Sequence, residues 1–208
     1  MIAWWARNAG RVLCAGDSIT LGYGSASGGW RGGLGRLLTD ARVRSDFVGP
    51  YADAWGRHRG VSGDRADAQG VAFLADVRDA APNLTILAYG TNDLGSGASA
   101  LEFLRAISDV IDLVREGAPE SRILVVAPLR AGYGTGAIPY YGRTPQRDLA
   151  LEGLPTICAA RGAAFLDLEA GGVPIVTSDG IHPIDGPLGY DAIAVRVLAG
   201  VLALTPGA

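Results

Sequence analysis

The chain has no lysine: among its 208 residues all 18 basic side chains are arginine. Histidine and cysteine are nearly as scarce, with 2 of each. No apolar run reaches the roughly 18 residues that a membrane-spanning helix needs. Each shortage removes some chemistry. Without lysine there is no Walker A phosphate loop and no Schiff-base catalysis. Cys14 and Cys158 are far apart, and His58 and His182 are far from either, so no CxxC, HExxH or zinc-finger spacing exists. Metal chemistry is thereby limited to carboxylate sites for a hard ion. The net charge is −3 and the arginines are dispersed, so no basic stripe offers phosphate contacts and nucleic acid is not an expected partner. The first ten residues lack the basic-then-apolar pattern of a signal peptide, which reads as a cytoplasmic protein. Two cysteines in a chain of this length read as buried free thiols rather than a disulfide staple.

What is present is an alternation. Short apolar runs at residues 11–16, 46–49, 84–90, 122–128 and 163–168 read as strands. Between and after them, residues 30–41, 65–80, 98–116, 144–160 and 188–204 carry apolar side chains at helical spacing. In the third of these Leu101, Leu104, Ile107, Val110, Ile111 and Val114 form one stripe. Three strands are almost wholly apolar, as expected where both faces of a parallel sheet are covered. The pattern predicts one domain over the whole chain: a flavodoxin-like, three-layer α/β/α sandwich with a central five-stranded parallel sheet. Residues 49–64 and 129–143 read as long loops and candidate site walls.

Polar clusters follow the strands. The first strand ends in Gly16-Asp17-Ser18-Ile19-Thr20 and the third in Gly90-Thr91-Asn92-Asp93; Asp179-Gly180-Ile181-His182-Pro183 precedes the last helix. A serine hydroxyl needs a base to take its proton, and the base needs a third group to orient it. Only two histidines can serve. His58 is flanked by Arg57 and Arg59, whose charges oppose the imidazolium that a base must become. It reads as a solvated loop residue with a candidate role in touching substrate. His182 has Asp179 three residues before it, close enough in a turn to hold one ring nitrogen, and is the better base. Asn92 offers an amide for an oxyanion, and Gly63 in Gly60-Val61-Ser62-Gly63-Asp64 offers an N–H. G-x-S-x-G is absent, so this is not the α/β-hydrolase elbow.

Four blocks in this order resemble the SGNH (GDSL) hydrolases: Gly16–Thr20, Gly60–Asp64, Gly90–Asp93 and Asp179–Pro183. The resemblance covers most of the chain. It implies the three-layer fold and ester or thioester hydrolysis through an acyl-enzyme, with no cofactor and no metal. It also implies Ser18 as nucleophile and N–H donor, Gly63 as a second N–H donor, Asn92 as side-chain donor, His182 as base and Asp179 as its orienting partner. Gly63 is favoured over Gly60 because it follows a small residue and precedes aspartate. Asp93 and Thr20 read as loop braces. Asp17, Trp55, His58, Tyr133 and Tyr140 are candidate substrate contacts, and Tyr23, Trp30, Tyr51 and Tyr141 also lie near the site loops. The expected partner is a small-molecule ester, an acetylated sugar foremost, because no long apolar insertion supplies an acyl tunnel. A thioesterase or lysophospholipase is the alternative of the same chemistry. A Mg²⁺-dependent phosphohydrolase using Asp17, Asp93 and Asp179, and a non-catalytic carbohydrate-binding module, are the alternatives of other classes.

Overall fold

The computed structural model describes residues 8–130 and 143–204. β1 (Asn8–Gly16) is followed by the short α1 (Ser18–Leu21), then α2 (Gly29–Asp40), β2 (Arg44–Val48), β3 (Tyr51–Asp53) and β4 (Gly56–Gly60). The chain continues through α3 (Val71–Ala80), β5 (Leu84–Ala88), α4 (Thr91–Gly95), α5 (Ala100–Gly117) and β6 (Arg122–Val126). It ends with α6 (Arg143–Ala160), β7 (Ala164–Leu166) and α7 (Tyr190–Ala203). The sequence β2-β1-β5-β6-β7 runs side by side and parallel, the strand order of a flavodoxin-like sheet.

Alternation of side chains along each strand builds two cores. Val12 and Cys14 of β1, Leu84 and Ile86 of β5, and Leu124 and Val126 of β6 face α2 and α7, where Trp30, Leu34, Leu38, Ile193, Val197 and Val201 are buried. Leu13 and Ala15, Leu87, Ile123 and Val125 face the other way, onto Phe73 and Val77 of α3, Phe103, Ile107 and Val110 of α5, and Leu154 of α6. Burial on both faces is why these strands are apolar at successive positions. Each large side chain buried in this way contributes roughly 1.5–3 kcal/mol. Both cysteines are buried free thiols, and burial pushes Cys14 up to about 12 and Cys158 to about 11.

α5 begins with a capping box, Ser99 and Glu102 exchanging hydrogen bonds with each other's backbone. Its buried face is Ala100, Phe103, Ala106, Ile107, Val110, Ile111 and Val114. Leu101 is 56% exposed, so the predicted stripe is displaced in the first turn. Phe103, larger than Leu101, takes the core position there.

Among the described residues the sheet has seven strands rather than the expected five, because the predicted loop at residues 49–64 contains a hairpin. β3 pairs antiparallel with β4, and β4 then runs parallel to β1. One edge of β1 is therefore shared: β2 pairs with it from Asn8 to Leu13, and β4 takes over at Ala15 and Gly16. The hand-over brings Gly60 level with Gly16, so the second motif block starts beside the first.

Candidate active site

Ser18 is the first residue of α1, placed there because Asp17, directly after β1, caps the helix. Asp17 is extended (φ −92, ψ −154) and its Oδ1 accepts the Ile19 N–H at 2.9 Å. It is 1% exposed, so it braces the turn that bears Ser18 from within rather than presenting the exposed carboxylate expected of a substrate contact. Ser18 Oγ lies 2.9 Å from His182 Nε2, and His182 Nδ1 lies 2.7 Å from Asp179 Oδ2. A carboxylate at Nδ1 selects the tautomer that carries its proton there and leaves the Nε2 lone pair facing the serine hydroxyl.

The Asp179 carboxylate has further work. Its Oδ1 accepts the N–H groups of Ile181 (2.9 Å) and His182 (2.8 Å). Burial pulls the Asp179 carboxyl upward, but these bonds and the one from the ring outweigh it and hold the group below its ordinary value. The turn is closed behind them, with Ser178 N–H donating to His182 O (2.8 Å) and Ile184 N–H to Val176 O (3.1 Å). Ser18, His182 and Asp179 thus form one hydrogen-bonded series across 164 residues of sequence.

On the other side of Ser18, the two glycines of the second block separate cleanly. Gly60 donates its N–H to His58 Nδ1 at 3.0 Å, and a Cβ on it would stand 2.5 Å from the Leu21 nitrogen. Gly63 has φ +80 with open space where a Cβ would be, and its N–H has no acceptor among the described residues. The same is true of the Ser18 N–H at the start of α1. Asn92 Nδ2 donates to Asp64 O at 2.9 Å, spending one amide hydrogen on the loop that bears Gly63 and leaving the second.

Below these groups the loop is pinned by buried ions. Arg59, 8% exposed, donates to Asp64 (3.0 Å), Asp76 (2.9 Å) and the Tyr89 hydroxyl (3.1 Å). Asp93, 1% exposed, accepts the N–H groups of Ala66 and Asp67, each at 3.2 Å. Burial raises the Asp93 carboxyl against those two bonds. It is a brace, whereas the hydroxyl of Thr20, wholly buried on α1, has no hydrogen-bond partner among the described residues and so does not brace the loop as expected.

His58 is not the solvated residue expected. It is 3% exposed on β4, its Nδ1 taken by Gly60 and its Nε2 3.6 Å from Asp53. Burial, with Arg31 nearby, lowers it to about 4, which leaves it neutral and inside the fold rather than touching substrate. The indole of Trp55 lies against the Gly28 and Gly32 backbone, with the Arg36 guanidinium 5.9 Å from its centroid, and so packs on α2. Tyr133 and Tyr140, with Tyr141, lie outside the described residues.

Of the aromatic residues placed near the site loops from sequence, Tyr23 comes to His182, its ring centroid 4.5 Å from that of the imidazole. The arrangement as a whole can deprotonate a serine, stabilise the resulting imidazolium, and present N–H donors to an oxyanion. Among the described residues, no three His, Cys, Asp or Glu side chains gather as a metal would require. Nor is any helix among them long and apolar enough to cross a membrane.

The family model of the GDSL-like lipase/acylhydrolase family matches residues 14–192. The chain belongs to that family. As a GDSL-like acylhydrolase it is a carboxylic ester hydrolase, and the match spans all four blocks. Among curated proteins none matches. Among solved structures this GDSL-like chain is similar to an acetyl esterase variant with acetate ion, at 20% identity and TM-score 0.74, covering 90% of this chain and 94% of that one. It is similar to a Clostridium thermocellum family 3 carbohydrate esterase at 21% identity and TM-score 0.75, covering 92% and 94%. It is also similar to an M. smegmatis aryl esterase at 18% identity and TM-score 0.70, covering 95% and 100%. At these identities the likeness is one of fold.

Proposed function

We propose that the protein hydrolyses short acyl esters, acetyl esters of carbohydrates foremost, through an acyl-enzyme on Ser18. The observation that carries this reading is the series Ser18 Oγ, His182, Asp179, with both links within hydrogen-bond distance and the correct ring nitrogen at each end. Ser18 Oγ attacks the ester carbonyl carbon while His182 Nε2 takes its proton. The charge that moves onto the carbonyl oxygen is held by the N–H groups of Ser18 and Gly63 and by Asn92 Nδ2, each donor worth roughly 3–4 kcal/mol. Collapse of this intermediate breaks the bond to the alcohol, which leaves with the proton that His182 returns. Water then repeats the sequence against acyl-Ser18, and the carboxylic acid departs as Ser18 recovers its proton.

Acetyl preference is supported by the sequence, which has no long apolar insertion to form a tunnel. The similar solved structures named as an acetyl esterase and a carbohydrate esterase point the same way. A phosphohydrolase reading loses its ligands, because Asp17 caps α1, Asp93 holds the Ala66 and Asp67 N–H groups, and Asp179 holds His182. The test is a chain-length series of p-nitrophenyl esters, with Ser18→Ala as the blank and EDTA as a control. Turnover is expected to be greatest at two to four carbons and indifferent to EDTA. Greatest turnover at ten carbons or more would replace the acetyl reading by a lipase or thioesterase one.

A further inference from the structure

Tyr23 is 54% exposed, yet its ring is held 4.5 Å from that of His182 with a tilt of 38°. The placement is built from both directions. Tyr23 N–H donates to Ser18 O (3.0 Å), which ties it to the nucleophile turn. Tyr23 O accepts the hydroxyl of Tyr190 (2.9 Å), a fully buried residue at the start of α7. The residues that follow are fastened to Asp185, which accepts from Ser25 Oγ at 2.5 Å and from Ala26 N–H at 3.0 Å. Asp185 stands three residues after His182, so the segment bearing Tyr23 is tied by hydrogen bonds to the segment bearing the base.

Chemistry gives that position a meaning. The carbonyl oxygen must face the donors Gly63 and Asn92, while the leaving oxygen must face His182, which returns the proton to it. Whatever borders His182 on the open side therefore borders the alcohol half of the ester. An aromatic face fixed there offers a surface to a second flat or C–H-lined ring.

We infer that Tyr23 is a specificity-determining residue whose ring receives the alcohol moiety, and that the enzyme favours esters of ring alcohols, pyranosyl or aryl, over those of small acyclic alcohols. The inference rests on the ester-hydrolase reading given above. Since the contact is made by the ring, the Tyr23 hydroxyl is dispensable to it.

The experiment compares wild type, Tyr23→Ala, Tyr23→Phe and Ser18→Ala on three acetates: phenyl acetate, an O-acetylated methyl β-xyloside and ethyl acetate. Each ester is compared with itself across the variants, so differences in leaving-group reactivity cancel. Tyr23→Ala is expected to lower kcat/KM on the ring esters at least fivefold more than on ethyl acetate, mainly through KM, and Tyr23→Phe to restore it. A loss confined to one of the two ring esters upholds the inference and names the alcohol. An equal loss on all three esters, or a shifted pH profile with all three, would make Tyr23 a support for His182 and overturn it, as would no loss on either ring ester. Absence of Ser18-dependent hydrolysis of every ester by wild type would remove the hydrolase reading itself and the inference with it.

Discussion

Replacing Asn92 by alanine removes one interaction seen in the structure and a second that the proposed mechanism places on the same amide, and they differ in size. One is the hydrogen free to meet the oxyanion. A donor of this kind is worth about 2.7–4 kcal/mol, or roughly 10²–10³ in kcat. The other is the 2.9 Å bond from Nδ2 to Asp64 O. That is a neutral bond at a half-buried site, contributing about 0.5–1.5 kcal/mol to folding. In a domain of this size each kcal/mol moves Tm by about 2–4 °C. Asn92→Ala is therefore expected to keep its fold, melt a few degrees earlier, and hydrolyse p-nitrophenyl acetate at least a hundredfold more slowly. Because the oxyanion contact exists only in the transition state, kcat and kcat/KM should fall by similar factors. Since Asp64 follows Gly63, freeing its carbonyl also loosens a second donor, which places the loss at the upper end of the range. The assay is steady-state kinetics beside a thermal melt. A loss below tenfold with the melt unchanged would refute the assignment of Asn92 as a donor.

Ser18→Ala is expected to lower kcat by four or more orders of magnitude with Tm within a few degrees of wild type, read by the same two measurements. His58 makes stability depend on pH with a definite sign. Unfolded, it takes up a proton near 6.5, but folded only near 4, so between those values the unfolded state binds more protons and stability falls as pH is lowered. The loss amounts to at most about 3 kcal/mol by pH 4. Urea midpoints measured from pH 7 to pH 4.5 should show it, and His58→Asn should flatten the slope; an unchanged slope would mean that His58 is protonated in the fold. The two glycines of the second block should also respond differently. Gly63→Ala meets open space at φ +80 and costs roughly 1–2 kcal/mol of strain. Gly60→Ala drives a Cβ into the backbone of α1 and should melt markedly lower, with activity lost because Ser18 moves.

The layered core and the four polar blocks were legible because each follows from local rules. Strands covered on both faces are apolar throughout, and helices covered on one face show the helical period. The hairpin was hidden because it breaks both rules. All three residues of β3 are exposed, and β4, Gly56–Gly60, holds no aliphatic side chain. What β4 buries is His58 and Arg59, and their burial is made tolerable by Asp53, Asp64, Asp76 and Tyr89 from elsewhere. One sign was available: Asp53 accepts the Trp55 N–H at 2.8 Å, and Gly56 follows at φ +114, a turn that Asp-Ala-Trp-Gly already spells. The neighbours of Gly63 in sequence already favoured it over Gly60, and the pairing of β4 with β1, which sets Gly60 against α1, supplies a physical reason that no short window contains. Tyr23 reaches His182 through a bond to a residue 167 positions away, so only the folded chain could place it.

The shared edge of β1 separates what must stay still from what is free to vary. The rungs Ala15 to Arg59 and Gly16 to Gly60 anchor the second block directly beside the nucleophile turn. The hairpin turn at residues 54–55 lies before that anchor. Residues added at the turn would extend the rim of the molecule while Gly63 keeps its distance from Ser18. New recognition grafted at this turn would still have to keep Trp55 seated on α2 and Asp53 on Arg31, whose guanidinium also holds the Thr20 and Leu21 carbonyls of the helix that bears Ser18.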